Sequence, residues 1–358
     1  MSIMSRFHII KRFLALCPQI FVLAKSRQVK KRLLPAAMAR FEDDALPDGA
    51  SFDDYKKALS SHLVSFDEYI YNYEFWNKDE NERNEFISRA SAAILFFRIR
   101  LAFPKYDNPS LFWFKEQFLK RASELGFMKR DWLLSTEASK EQIAVLFHKC
   151  DCIVKPNDSS MGEGIFKVYK DNEDEIEKVV EQCVSNPCII EECVIGCQEL
   201  QQFHPSSLNT LRVVTIAYEG KAKVFGACFR MGQHDSVVDN SHGGGLVASI
   251  DVSTGKIVSN AFGTHGKYYR VHPDTKMPIK GFQIPNWEKV KQRCVEAANV
   301  FKGVIVVGWD LTITPSGDIE FIEANHTPDF DGGMQAPLKQ GVKKSLYDTI
   351  REITGKSF

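Results

Sequence analysis

Gly303-Val-Ile-Val-Val-Gly-Trp-Asp310-Leu-Thr-Ile-Thr-Pro-Ser-Gly-Asp-Ile-Glu-Phe-Ile-Glu323-Ala-Asn325 is the stretch on which the reading of this 358-residue chain turns. Two β-branched runs flank a Pro-Ser-Gly-Asp turn, the signature of an antiparallel hairpin. A turn centred on Ser316 and Gly317 sets Asp310 directly opposite Glu323 on one face. Asn325, two residues on, keeps to that face because strand side chains alternate. Two facing carboxylates repel unless a cation sits between them. Hard oxygen ligands of this kind suit magnesium, which takes few protein ligands and adds substrate phosphates. The competing reading is an exposed hairpin whose acids merely face water. Val306, Val307, Trp309 and Ile322 argue for burial instead, where unpaired carboxylates are costly.

Two further stretches carry candidate chemistry. Val154-Lys155-Pro156-Asn-Asp-Ser-Ser-Met-Gly162-Glu-Gly164 ends a strand in a lysine before a Ser/Gly-rich loop. Such a loop can fold its backbone N–H groups over phosphates while the lysine supplies a point charge. It is neither a P-loop nor a three-glycine dinucleotide fingerprint. Ile189-Ile-Glu191-Glu192-Cys-Val194 runs through a turn to Glu199, as in a hinge between lobes. Backbone groups there could bind an adenine edge, and a carboxylate could hold ribose hydroxyls. His242-Gly-Gly-Gly245 copies an esterase oxyanion loop, but that fold also needs Gly-x-Ser-x-Gly, which the chain lacks.

Lys plus Arg and Asp plus Glu both number 46, so no global field favours nucleic acid or acidic partners. Nine cysteines without zinc or redox spacing read as reduced thiols in a cytoplasm. The front of the chain is different. Residues 1–41 hold nine Lys or Arg and no acid, around the apolar run Phe13–Ala24. That run is too short to span a bilayer. It reads either as a basic helix on an anionic membrane face or as a helix docked on the protein's own core. Helical patterns follow, with Ser51 as a cap, helical spacing over Glu80–Arg100, and another helix over Leu111–Leu125 stopped by Gly126. Strand patterns then begin, at Cys152–Pro156, Cys188–Glu192 and Leu211–Ala217, with helices at Glu173–Cys183 and Trp287–Phe301. The class is α+β or α/β.

Taken together, these pieces and their order resemble the ATP-grasp superfamily over roughly residues 110–340. In D-alanine–D-alanine ligase and its relatives an Asp, a Glu and an Asn hold magnesium, the last two as Glu-x-Asn. Asp310, Glu323 and Asn325 are similar in order and spacing. The resemblance implies nucleotide contacts from Lys155, from Ser160, Met161, Gly162 and Gly164, and from the hinge residues Glu191, Glu192, Val194 and Glu199. The family's first lysine lies eleven residues before a helix-ending glycine; Lys115 stands so to Gly126, and Lys120 competes. Asn240-Ser-His-Gly-Gly-Gly245 is similar to the phosphate-holding loop of the glutamate-adding members, although Val238 stands where they carry Arg. Asp239, His242 and Gly244 are then expected at the substrate, with Asn240, Arg212 and Arg230 catalytic. The chain most resembles the sugar-transfer-associated group, through Ser207-Leu-Asn-Thr-Leu-Arg212, Asp239-Asn-x-x-Gly-Gly and Asn325-His-Thr-Pro-Asp-Phe-Asp331.

The resemblance implies an ATP-grasp fold of two α+β lobes behind a mostly helical N-terminal region. The expected divisions are a basic arm over 1–50, a helical region over 51–135, a lid over 136–195 and a C-terminal lobe over 196–358. It implies ATP and magnesium, and a ligase joining a carboxylate to an amine-type nucleophile through an acyl phosphate, on a sugar or cell-surface polysaccharide precursor. Asp329, Asp331 and Gln335 are candidate acceptor contacts, and His326, beside Asn325, reads either as catalytic or as a turn histidine. A kinase acting on a hydroxyl and a non-catalytic nucleotide-binding partner of a glycan-assembly complex are the rivals. The expected location is cytoplasmic, at the inner membrane face if the basic arm binds lipid.

Overall fold

The computed structural model describes residues 18–41, 48–76, 79–106, 108–157, 164–234, 236, 244–263 and 266–357. Local capping chemistry writes the helical front. Helix α1 spans Pro18–Phe41 and α2 spans Phe52–His62, the latter opened by Ser51, which accepts from the Asp54 backbone N–H at 3.2 Å. Short helices follow, and the expected Glu80–Arg100 helix is two. Asp79 caps Glu80–Asn84, and Ser88 caps α3, Arg89–Ala102. A capping serine in mid-pattern accepts the orphan N–H groups of a new helix, so the periodicity restarts there. The far end of α1 packs Leu33, Leu34 and buried Ala37 onto Tyr55, Phe66, Tyr69 and Trp76. The apolar run Phe13–Ala24, on which the docked and membrane readings turn, lies outside the residues whose side chains are described. No helix among the described residues is long and apolar enough to cross a membrane.

The expected Leu111–Leu125 helix is also broken. Phe114 is extended between Ser110–Trp113 and α4, Lys115–Glu124, and Gly126 then turns the chain at φ +69°. A small sheet comes next: β1 (Trp132–Leu134), α5 (Lys140–Lys149), β2 (Cys152–Pro156), β3 (Phe166–Val168), α6 (Glu173–Ser185) and β4 (Cys188–Glu192). Its strands lie in the order β1-β4-β2-β3, all antiparallel. Ile143, Phe147, Val154, Ile176 and Ile190 form its separate core beneath the two helices.

The larger sheet has the order β11-β10-β5-β6-β7-β8-β9 and is antiparallel throughout. Its strands are β5 (Thr210–Tyr218), β6 (Lys221–Met231), β7 (Leu246–Ile250), β8 (Ala261–Phe262), β9 (Tyr268–Tyr269), β10 (Val306–Ile313) and β11 (Ile319–Asn325). Period-two alternation gives it two different faces. Leu211, Val213, Val307, Trp309 and Leu311 point one way, into a core shared with α7, Trp287–Val300. Trp309 is fully buried there, and its indole N–H donates to Thr215 Oγ1 at 2.8 Å. Val214, Ile216 and Val306 point the other way, under α3 and α8, Lys343–Thr354. Further along that second face the side chains become Arg212, Asp310 and Arg230. The sheet is apolar where helices cover it and charged where they do not.

A π-helical turn, Asp331–Gln335, sits on this second face. It approaches closely because Gly226 has no side chain; a Cβ there would lie 2.7 Å from Met334 Sδ. Gln335 fastens the turn to the helical front, accepting from the Ile87 N–H at 2.8 Å and donating to the Ile87 carbonyl at 2.9 Å.

Candidate functional site

Asp310 lies directly opposite Glu323, as the hairpin reading expects, but not for the expected reason. Near the turn the register differs by one, with Thr312 opposite Glu320 and Ile313 opposite Ile319. The turn is closed by Thr314 N–H donating to the Asp318 carbonyl at 2.9 Å, so it centres on Ser316 rather than between Ser316 and Gly317. A bulge between Asp310 and Leu311 leaves Ile322 as the odd residue and restores the pairing. Beyond it Asp310 meets Glu323 and Gly308 meets Asn325.

Asp310 does not face Glu323 alone. On its other side β10 pairs with β5 so that Asp310 lies opposite Arg212. Arg212 grips the carboxylate with both arms, Nε to Oδ1 and Nη2 to Oδ2 at 2.6 Å, and Arg230 Nη1 reaches Oδ2 at 3.1 Å. Asp310 is 5 % exposed. Burial works to raise its pKa, but Arg212 and then Arg230 overcome it and hold the group below the ordinary carboxylate range. Burial likewise pushes the neighbouring Cys228 thiol up to about 12, against the pull of the same two arginines. Gly308 makes the close packing possible: a Cβ there would stand 2.8 Å from Pro328 and 3.3 Å from Arg212 Cδ. Glu323 and Asn325 are half-buried at the same end of the hairpin, and neither side chain has a hydrogen-bond partner among the described residues.

A second buried charge cluster joins the small sheet to this hairpin. Lys155 Nζ lies 2.7 Å from Glu191 Oε1, and Arg130 lies 2.5 Å from Glu191 Oε2. Arg130 Nη1 also reaches Glu320 at 2.9 Å and donates to the Phe321 carbonyl at 2.7 Å, while Nη2 donates to the Ile322 carbonyl at 3.3 Å. Arg130 therefore holds the backbone at the bulge that sets Glu323 in place. Burial works to raise the Glu191 pKa, but Arg130 and Lys155 bring it down to about 2. Sequence reading missed Arg130 and Glu320. A single arginine between two helix–strand junctions carries no local signal, and its partners are 61 and 190 residues away.

The remaining expectations divide. Lys115 opens α4 and is half-buried, whereas its competitor Lys120 is an exposed partner of Glu137 at 2.8 Å. The hinge is a real crossing between the two sheets: Glu192 N–H bonds Asp131 O at 2.9 Å, and Cys197 N–H bonds Ile313 O at 2.6 Å. Val194 is half-buried on this crossing and Glu199 is exposed. The expected role of the Glu191 side chain needs correction, because its carboxylate belongs to Arg130 and Lys155. Gly164 is exposed at φ +72°, and the carbonyl of Gly244 accepts from the Gln233 amide. Ser160, Met161, Gly162, Asp239, Asn240 and His242 lie outside the described residues.

Asp331 also needs correction. It is 4 % exposed, and its carboxyl accepts from Asn72 Nδ2 at 3.1 and 3.3 Å. Burial, with Asp329 and Glu68 adding to it, raises its pKa well above the ordinary value. His326 lines a small void with Phe96, Ile99 and Arg100, and burial, aided by Arg100, lowers its pKa to about 4.

The donor set suits magnesium. Asp310, Glu323 and Asn325 offer hard oxygens from adjacent strand positions, too few to enclose an ion and so leaving room for phosphate oxygens. Each Asp310 oxygen has further lone pairs beyond those the arginines use. Among the described residues no group of three His, Cys, Asp or Glu could hold a metal by itself.

A family model described as sugar-transfer associated ATP-grasp matches residues 125–350. No curated protein sequence matches the chain. Among solved structures, the ATP-grasp ligase PsnB complexed with minimal precursor, Mg and ADP is 16 % identical, at TM-score 0.45 over 77 % of this chain and 70 % of that one. D-alanine–D-alanine ligase from Bacillus anthracis is 18 % identical, at TM-score 0.39 over 68 % of this chain and 67 % of that one.

Proposed function

The chain belongs to the sugar-transfer associated ATP-grasp family, and we propose on that footing that it is an ADP-forming ligase joining a carboxylate to an amine-type nucleophile through an acyl phosphate. One observation carries the reading: Arg212, Asp310 and Arg230 form a buried charged cluster at the end of the hairpin where Glu323 and Asn325 keep unpaired oxygens.

The small unit, proposed over 136–195, acts as a lid, and the lobe over 196–358 as the base. ATP lies between them, its phosphates met by Lys115 and Lys155 and its base and ribose by the hinge from Glu192 to Glu199. The loop containing Ser160, Met161, Gly162 and Gly164 covers the phosphates. Magnesium bound by Asp310, Glu323 and Asn325 would neutralise charge on those phosphates. Arg212 keeps Nη1 beyond its Asp310 contacts, and with Arg230 it steadies the negative oxygens of the acyl phosphate. The segment with Asp239, Asn240, His242 and Gly244 holds the reacting carboxyl and excludes water, since an acyl phosphate hydrolyses readily. The family's sugar-transfer association supports a sugar or cell-surface polysaccharide precursor as one substrate. The basic arm over 1–50 suits contact with an anionic membrane face.

Mass spectrometry of products from Mg-ATP, amino acids and sugar-linked carboxylates tests the proposal. An amide product with stoichiometric ADP is expected, and its loss in Asp310→Ala/Glu323→Ala. Full activity in that double variant removes the metal assignment. ADP with a phosphorylated hydroxyl product in place of an amide makes the protein a kinase.

A further inference from the structure

The face of the large sheet that carries the arginines continues past them, beneath the Asp331–Gln335 turn and the short helix Ala336–Leu338. Arg230 lies opposite Val247 on β7, Val247 opposite Phe262 on β8, and Phe262 opposite Tyr268 on β9. Directly opposed residues share a face, so Tyr268 lies on the same side of the sheet as Arg230, Arg212 and Asp310. Three strand spacings separate Arg230 from Tyr268, roughly 14 Å. The Phe262 and Tyr268 rings meet edge to face at 5.3 Å, which fixes Tyr268 there.

At this far end the helical front and the sheet enclose a cleft of about 200 Å³. Tyr71, Tyr73 and Glu74 come from the helical front, and Tyr268 and Lys339 from the lobe. The walls are held firmly. Tyr268 donates its hydroxyl to the Ala336 carbonyl at 2.7 Å, and Asn72 is tied to Asp331 at 3.1 Å. Glu74 and Lys339 pair across the rim, so they offer donors and acceptors with no net charge. A site with cancelled charge does not select an ion. Lys339 Nζ also covers the Tyr268 ring at 4.4 Å, so Tyr71 and Tyr73 are the aromatic walls left to a ligand. With paired polar groups at the edge they suit a neutral hydroxylated ring, whose flat carbon face packs on tyrosine while its hydroxyls bond at the rim.

We propose that this cleft is a saccharide subsite, holding a neutral sugar unit of an extended acceptor whose other end reacts beside Arg212 and Arg230. The site as a sugar-binding cleft stands on its own residues; only the identity of the reacting end rests on the ligase reading. The size allows one ring, and the distance along the sheet requires an acceptor longer than a monosaccharide.

The test is equilibrium binding, without ATP, of the full chain to an array of neutral hexose, deoxyhexose and N-acetylhexosamine oligosaccharides. The native protein is expected to retain at least one, and Tyr71→Ala and Glu74→Ala/Lys339→Ala to bind it at least about tenfold more weakly. Binding of an Mg-ADP fluorophore should stay unchanged in both. The double variant alters only the rim pair, so it decides the matter if Tyr71→Ala is unstable. No oligosaccharide retained by the native protein, or retention unchanged in the variants, overturns the subsite. Such a failure with Mg-ADP binding and amide formation intact leaves the ligase reading standing, and saccharide binding without nucleotide turnover does the reverse.

Discussion

Asp310 and Glu323 face each other across one hairpin with different partners: both oxygens of the first are held by arginines, while the carboxylate of the second makes no hydrogen bond among the described residues and feels Arg212 only through space. A preset acid beside an unsatisfied one is an arrangement that a cation and a phosphate complete together. Replacing Asp310 with Asn keeps its shape but removes the charge. ATP turnover is expected to fall by at least ~100-fold. Leaving two half-buried arginines without their counter-ion should also cost about 3 kcal/mol of stability. Steady-state ADP release and denaturant unfolding measure the two effects separately.

Arg130 ties the lysine of the small sheet to the bulge of the large one. Arg130→Met should raise KM for ATP more than it lowers kcat, because it loosens the relation between Lys155 and Glu323 without touching either. Removal of one partner from this buried cluster is expected to destabilise by about 3–5 kcal/mol. Equal loss in kcat alone, with KM unmoved, would assign Arg130 to a different role.

Glu191 supplies a pH signature. Its folded pKa, about 2, lies below the ordinary value of 4.5, so its contribution to stability is present above pH ~4.5 and is lost as pH falls toward ~2. The difference corresponds to something on the order of 3 kcal/mol. Unfolding midpoints measured from pH 6 down to pH 2.5 should fall more steeply for the native protein than for Glu191→Gln.

Asp331 works in the opposite sense. Its folded pKa is raised, so the folded state binds the proton more tightly and stability is lost as pH rises from the ordinary carboxylate range through the folded value. Asp331→Asn keeps a neutral partner for Asn72 and does not titrate. Thermal melts should show the variant gaining on the native protein as pH rises, with no difference at pH 3.5.

The two candidate lysines of the α4 helix are separable. Lys115→Ala should weaken ATP binding by roughly tenfold, the loss of one charge-assisted contact to phosphate. Lys120→Ala, which removes only an exposed pair with Glu137, should leave it within about twofold. Titration calorimetry with a non-hydrolysable ATP analogue distinguishes them.

The family, the strands at Cys152–Pro156 and Cys188–Glu192, and the Asp310–Glu323 pairing were legible because each is written in local pattern: alternation, a turn, a lysine at a strand end. The pairing came out right through two offsets that cancel, a turn half a residue off and a bulge that no propensity marks. Asp310's arginines were visible as nearby cations, but their grip on its carboxylate was not. That grip depends on β5 lying beside β10, a neighbour relation about 100 positions apart. Arg130 was invisible for the same reason, and so was the burial of Asp331, which is decided by Asn72 in the helical front. The broken helices at Phe114 and Ser88 escaped because the apolar periodicity runs on across each break.

The bulge at Ile322 has a consequence for how the hairpin can vary. Arg130 fixes the carbonyls of Phe321 and of the odd residue itself, so the facing acids are registered from the bulge rather than from the loop tip. The Thr314–Asp318 connection is thereby released from any duty to the chemistry. Loop transplants at that tip, even ones that change its length by a residue, should be absorbed before they reach the acids, which makes it a natural place to attach a tag or a reporter.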